Sequence, residues 1–154
     1  MNQRPKQSNN IPTLPIFNGY TLVELITVIV IIAILATLAV PSFTKYVQRS
    51  KLTSSTEMLI SLRVSMEQAY QVNRSFQDAT GNCVIADFSD DYFSHSCIAA
   101  SKSTYVWTST SLATAGLGAG ADYIYTINQD GLKTTKKFAG VGLFAYNDWK
   151  LRDD

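Results

Sequence analysis

The sequence predicts an α+β protein in which one long N-terminal helix lies on an antiparallel meander sheet. Three observations carry this. Residues 20–40 form an unbroken apolar run. From Leu52 to Tyr70, apolar residues recur at three- and four-residue spacing, the mark of a helix with one buried face. Beyond residue 104, stretches rich in β-branched and aromatic residues alternate and are parted by turn signals.

The apolar run comes first. From Tyr20 to Val40 its only ionisable groups are Glu24 and the Tyr20 phenol. As a helix rising 1.5 Å per residue it spans roughly 31 Å, about one hydrocarbon thickness. It is apolar all round, so it is no amphipathic surface helix. Its β-branched residues are tolerated in lipid, where the backbone must bond internally. Thr27 and Thr37 can bond back to carbonyls one turn earlier. Glu24 needs a reason, because a carboxylate in a membrane segment is costly. Two readings leave it unused: an ordinary anchor, and a secretory signal with Arg4 and Lys6 as its basic region and Thr37-Leu38-Ala39 as a poor cleavage site. A third uses it. A cut after Gly19 creates an amine on Tyr20, one helical turn before Glu24, and that amine is a natural counter-charge.

Gly19-Tyr20-Thr21-Leu22-Val23-Glu24 resembles the processing site of type IV pilins and type II secretion pseudopilins. Pro41 falls where that family has its helix-bending proline. The resemblance implies that a membrane aspartyl peptidase, the prepilin peptidase, cuts between Gly19 and Tyr20 and methylates the new N-terminus on Tyr20. It implies that Glu24 pairs with the N-terminal amine of a neighbouring subunit in a filament. Two departures stand out. The first mature residue is Tyr20 where the family usually has Phe, which keeps the ring. Residues 11–18 carry no basic residue, although family leaders often do. Lys45, Arg49 and Lys51 follow the span, so charge alone leaves its orientation open. The cytoplasmic leader is an expectation from the resemblance.

The chain has 154 residues, enough for one domain beyond an anchor. Loss of Arg4 and Lys6 with the leader leaves 11 basic against 12 acidic side chains, one net negative charge. That supplies no global attraction to nucleic acid or an anionic surface. Cys83 and Cys97 with the single His95 cannot complete a tetrahedral metal set. If the domain lies outside the cytoplasmic membrane, the oxidising compartment favours a Cys83–Cys97 disulfide over two unpaired core cysteines. Closing a loop of about 15 residues is worth roughly 3 kcal/mol in the chain-entropy model.

The remaining elements follow in order. Ser42 to Arg49 resumes without a turn signal, so Pro41 kinks the helix rather than ending it. Leu52, Ser55, Leu59, Leu62, Met66, Ala69 and Tyr70 then form one stripe, with Lys51, Glu57, Arg63 and Glu67 largely off it. This half should cradle the sheet and fade near Asn73-Arg74-Ser75. Residues 76–100 are irregular and polar and hold both cysteines, so they read as a stapled loop with a short strand at most. Tyr105 to Thr110 alternates as a strand. Residues 113–121, with Gly116, Gly118 and Gly120, read as a flexible loop; a strand follows, so this is no phosphate loop. Asp122 to Asn128 is the strongest strand, Gln129-Asp130-Gly131 signals a hairpin, and Leu132 to Phe138 returns. The tail from Val141 adds at most a short strand. The expected organisation is a leader at 1–19, a membrane and filament-core helix half at 20–41, and a globular domain at 42–154. Within that domain we expect helix at 42–74, the disulfide loop at 76–100 and the sheet at 104–146. The soluble part also resembles the PilE-like minor pilin branch, at Met66 to Phe76, Tyr92 to Cys97 and Ala121 to Ile127.

No catalytic constellation appears, so no enzyme and no cofactor are expected. His95 reads as a loop histidine near the disulfide. Asp87, Asp90 and Asp91 lack the Gly and Glu of a calcium loop and read as a solvated acidic segment. Lys133, Lys136 and Lys137 with Trp107, Tyr123 and Tyr125 offer a basic, aromatic face for DNA. A solubilising edge that blocks strand addition is placed ahead of that reading. In it Lys133 and Lys137 share strand parity and Lys136 points the other way. The sequence thus reads as a structural subunit of a type IV pilus, in the minor class. The alternatives are a type II secretion pseudopilin and a DNA-binding competence pilin. The partners this implies are the prepilin peptidase, other pilin subunits, the inner-membrane assembly platform and, before assembly, the lipid bilayer. The place is the bacterial inner membrane, single-pass with a periplasmic C-terminal domain, and then the extracellular pilus.

Overall fold

The computed structural model describes residues 19–144 and 146–152; the expected leader, Gly19 apart, lies outside the described residues. One helix, α1 (Leu22–Asn73), carries Pro41 within it, and the chain divides into two units, up to Val40 and from Pro41 onward.

In the first unit every described residue is exposed, and the helix is long and apolar enough to cross a membrane. The Thr27 hydroxyl donates to the Val23 carbonyl at 2.8 Å and Thr37 donates to Ile34 at 2.7 Å. These bonds hide two hydroxyls that lipid would leave unsatisfied.

In the second unit the apolar stripe of α1 turns inward, burying Leu52, Ser55, Thr56, Leu59, Leu62 and Met66. The three- and four-residue spacing sets these side chains on one helix face. Leu59 and Met66 are fully buried, and truncating a leucine so placed to alanine costs about 2–5 kcal/mol. The helix ends where Arg74 takes the left-handed conformation, φ 53°, and its N–H bonds the Tyr70 carbonyl at 2.8 Å.

The sheet has six strands in chain order, all antiparallel: β1 (Phe88–Ser89), β2 (Phe93–Ser101), β3 (Thr104–Ser111), β4 (Ile124–Asn128), β5 (Lys133–Phe138) and β6 (Val141–Gly142). It is the expected meander with more strands. Trp107, Tyr105, Tyr125, Phe93 and Ile127 join the helix stripe in one core. Three polar ties fix the helix to the sheet side. The Ser55 and Ser109 hydroxyls bond each other in the core, Gln48 donates to the Tyr123 hydroxyl, and Lys51 Nζ donates to the Ala115 carbonyl at 2.7 Å.

Two segments differ from the sequence reading. Residues 93–101, expected within a loop, form the nine-residue strand β2. Its inward residues include Phe93 and His95, both fully buried, while the register sets Ser94 and Ser96 opposite Thr110 and Thr108 of β3. The glycine-rich segment is tied down. Ala113–Ala115 forms a short 3-10 helix, Ala115 and Leu117 are buried, and Asp122 Oδ2 accepts the Ala119 N–H at 2.9 Å. Gly118, at φ 114°, leaves room for that carboxylate, since a Cβ there would stand 2.0 Å from Asp122 Oδ2.

Candidate functional site

The N-terminal motif is built around one turn of helix. Thr21 precedes the first helical residue, and its hydroxyl accepts the Glu24 N–H at 3.2 Å. Glu24 Oε2 in return accepts the Thr21 N–H and the Thr21 hydroxyl, each at 2.9 Å. This is a reciprocal capping box, with Thr at the cap and Glu three residues on. Glu24 is therefore engaged within its own chain, and Thr21 is a functional candidate that the sequence reading passed over. The signal was present as Thr-x-x-Glu ahead of an apolar run. Gly19 and Tyr20 stand exposed beside it, and a Cβ on Gly19 would meet nothing within 4 Å.

The stapled segment is next. Cys83 and Cys97 form a disulfide with Cα atoms 6.0 Å apart. Gln77 and Cys83 pair as an isolated bridge, and Gln77 Nε2 donates to the Ala99 carbonyl at 2.9 Å. The acidic residues serve this segment. Asp87 Oδ1 accepts the Cys97 N–H at 2.8 Å. Asp90 Oδ1 accepts the N–H groups of Tyr92 at 2.8 Å and Phe93 at 2.6 Å, and its Oδ2 lies 3.1 Å from His95 Nε2. Partial burial raises the Asp90 carboxyl, but the two amides and the His95 ring outweigh it and hold it below the usual carboxylate range. His95 is no loop histidine: it is buried on β2 and stacks on Phe88 with ring centroids 4.9 Å apart. Among the described residues no group of three His, Cys, Asp or Glu is placed to hold a metal.

The proposed basic face is altered by a β-bulge. Ile124 pairs with Lys137 and Tyr125 with Thr135, so Lys136 is an extra residue on β5. The bulge reverses the alternation between Lys133 and Lys137, which the sequence placed on one face. Lys133 stands opposite Ile127, with its Nζ 4.8 Å from the centre of the Trp149 ring. Lys137 Nζ lies 3.7 Å from Asp122 Oδ1, and Lys136 is exposed. The aromatic half of the expected face is absent from the surface. Trp107 and Tyr125 are fully buried and Tyr123 nearly so. Burial pushes the Tyr125 phenol up, and its O–H donates to the Lys150 carbonyl at 2.8 Å. Core packing claimed these rings because the strand alternation turns them toward α1. Two cations that the sequence reading left aside, Arg74 and Lys102, are exposed on segments joined by a bond from the Phe76 N–H to the Lys102 carbonyl, 2.9 Å.

A helix that is membrane-length and apolar in its first half, packs a sheet with its second, and opens on Gly19 and Glu24 defines the type IV pilin class. Residues 17–40 match the prokaryotic N-terminal methylation motif. Residues 41–120, just over half of the chain, match the family described as type IV minor pilin ComP, DNA uptake sequence receptor, and the chain belongs to this family. It is a type IV minor pilin, a subunit of a pilus whose partners are other pilins and the peptidase that processes them. No curated protein and no solved structure matches it. The family match ends at Gly120, before β5, so Lys133, Lys136 and Lys137 lie outside it while Arg74 and Lys102 lie within.

Proposed function

We propose that this minor pilin waits in the inner membrane as a single-pass precursor with residues 42–154 in the periplasm. It is cut between Gly19 and Tyr20, methylated on Tyr20 and passed by the assembly platform into a pilus, where it receives DNA. The carrying observation is the match of residues 41–120 to a family described as a DNA uptake sequence receptor, in register behind the methylation motif. That match raises DNA above the solubilising-edge reading of the lysines. Gly19 supports the cut, because the fold makes no steric demand for glycine there. Glu24 supports assembly: its bonds to Thr21 satisfy it while the subunit waits. In the filament the carboxylate exchanges part of that set for a neighbour's Tyr20 amine. Pro41, inside α1, is the expected bend between the two helix halves.

DNA would be held by exposed cations, through phosphate contacts whose affinity falls with salt. Two groups are available: exposed Lys136 with half-buried Lys133 and Lys137 on β5, and exposed Arg74 with Lys102 inside the matched region. The test is a gel shift of duplex DNA by the full-length chain in detergent, across a salt series. Binding should weaken with salt, and each lost phosphate contact should lower the log–log slope by about 0.9. Loss on Lys133, Lys136 and Lys137 substitution assigns the β5 edge; loss on Arg74 and Lys102 substitution assigns the helix end. Absence of binding at low salt would overturn the DNA reading and leave the pilin reading standing.

A further inference from the structure

We propose that the sheet face turned away from α1 is a docking surface for a neutral polysaccharide chain. Alternation along β2 to β5 sends the core residues to one face and a grid of hydroxyls to the other. Ser96, Thr108, Thr126 and Thr134 stand directly opposite one another across these four strands. At about 4.8 Å per strand they make a row about 14 Å long. Ser94 and Thr110 begin a second row on one side of it. Ile98 and Val106 begin a third on the other side, at 70% and 41% relative exposure, so the face is open. None of the six hydroxyls in the first two rows bonds another group among the described residues. Thr126 points to a ligand most directly. At 7% relative exposure it is more than nine-tenths buried, yet its hydroxyl has no partner and still reaches the surface. A covered hydroxyl without a partner is unfavourable, and a ligand that brings one removes that penalty.

Charge selects the ligand class. No acidic side chain stands in the three rows, and their one cation, Lys137 opposite Ile124, lies 3.7 Å from Asp122 Oδ1. An anionic ligand therefore meets no free cation in the grid, and a basic one meets no carboxylate. What the grid offers is hydroxyls, each able to donate one hydrogen bond and accept two. A sugar chain presents the same groups in return. Ile98 and Val106 add an exposed apolar strip on which the C–H face of a sugar ring can rest. The strand spacing is close to the advance of one pyranose in an extended chain, so successive sugars meet successive strands. The surface lies wholly within the second unit, and its occupancy does not depend on the DNA reading.

Saturation-transfer NMR tests this on the full-length, disulfide-intact chain in a polyoxyethylene detergent, which carries no sugar headgroup. The probes are cellohexaose and chitohexaose, each titrated to a Kd. At least one should bind, with a Kd that a roughly tenfold rise in salt leaves unchanged, because no charge is neutralised. Thr108→Val, Thr126→Val and Thr134→Val should each weaken binding about fivefold, the equivalent of one neutral hydrogen bond. Thr126→Ser keeps the hydroxyl and should keep most of the binding. Valine retains the branched shape that suits a strand, so Tm should not fall and a lost signal is not a lost fold. Failure of both hexasaccharides to bind overturns the proposal. So does a Kd that the valine variants leave unchanged, which would put the sugar elsewhere. Binding that weakens with salt, or displacement by duplex DNA, overturns it in favour of a phosphate contact. A dimer that the valine variants dissolve, seen by analytical ultracentrifugation, overturns it in favour of a second copy of the chain.

Discussion

Replacement of Asp90 by alanine tests whether the stapled segment is organised around one carboxylate. The substitution removes three acceptor contacts at once, to the Tyr92 and Phe93 amides and to His95 Nε2. Each amide bond is worth about 1 kcal/mol net, and a buried polar group left without a partner costs about 1–3 kcal/mol. His95 is fully buried and its Nδ1 already has no partner among the described residues, so loss of the Nε2 contact strands the whole ring. The sum is about 3–5 kcal/mol. The second unit, Pro41–Asp154, unfolds with an entropy of about 0.24 kcal/mol/K at the usual value per residue, so Tm should fall by about 12–21 °C. Asp90→Asn keeps an acceptor for the amides and loses the charge, so about 1 kcal/mol and about 4 °C are expected. Calorimetry of the full-length, disulfide-intact chain in detergent measures both. The charge adds a pH signature. The folded Asp90 carboxyl lies below its ordinary value of 3.8, so its contribution is complete above that value. It is lost as pH falls below 3.8 and through the folded value, so the gap between wild type and Asp90→Asn should shrink over that acid range. A loss under 1 kcal/mol for Asp90→Ala, or a gap that widens over that acid range, would refute the reasoning.

Three further outcomes are expected. The Cys83→Ser/Cys97→Ser variant opens a loop with a sequence separation of 14, which should cost about 3 kcal/mol, or about 12 °C in Tm by calorimetry. A loss below 1 kcal/mol would mean that the Gln77 and Asp87 bonds hold the segment unaided. Gly19→Val should leave a precursor at full intact mass in membrane extracts; normal-size mature protein from this variant would refute the processing assignment. Glu24→Ala should abolish incorporation into sheared pili while the protein still accumulates in the membrane. Incorporation at wild-type levels would show that the carboxylate does not drive assembly.

The helix was legible because two periodic signals meet in it. An apolar run of membrane length and a three- and four-residue stripe are long-range patterns that local context does not overturn. The Asp130-Gly131 hairpin was legible for a stereochemical reason, since Gly131 takes φ 77°, a conformation that glycine adopts at no steric cost. β2 was hidden by its own composition. Ser94 and Ser96 on one face and His95 on the other read as loop residues. The strand becomes visible only when Asp90 is seen to satisfy the histidine and β3 is seen to pair with it. The burial of His95 follows from a contact five residues back in the chain, which no hydrophobic pattern records.

The lysine face shows a second kind of illegibility. Alternation along a strand holds only while the register holds, and one inserted residue turns every later side chain over. Lys136 is that residue, and nothing in Lys133-Thr134-Thr135-Lys136-Lys137 announces a bulge. The same register leaves Lys133 against Trp149 and Lys137 beside Asp122, two cations each given a neighbour. A basic surface counted from sequence therefore overstates what a phosphate backbone would meet at β5. If DNA binds this subunit, Arg74 and Lys102 are the better placed pair, because both are exposed and both lie in the region that carries the family match. Charge-neutral substitution of that pair should then weaken binding more than substitution of the three β5 lysines. The reverse order would return the interface to the edge that the sequence first suggested.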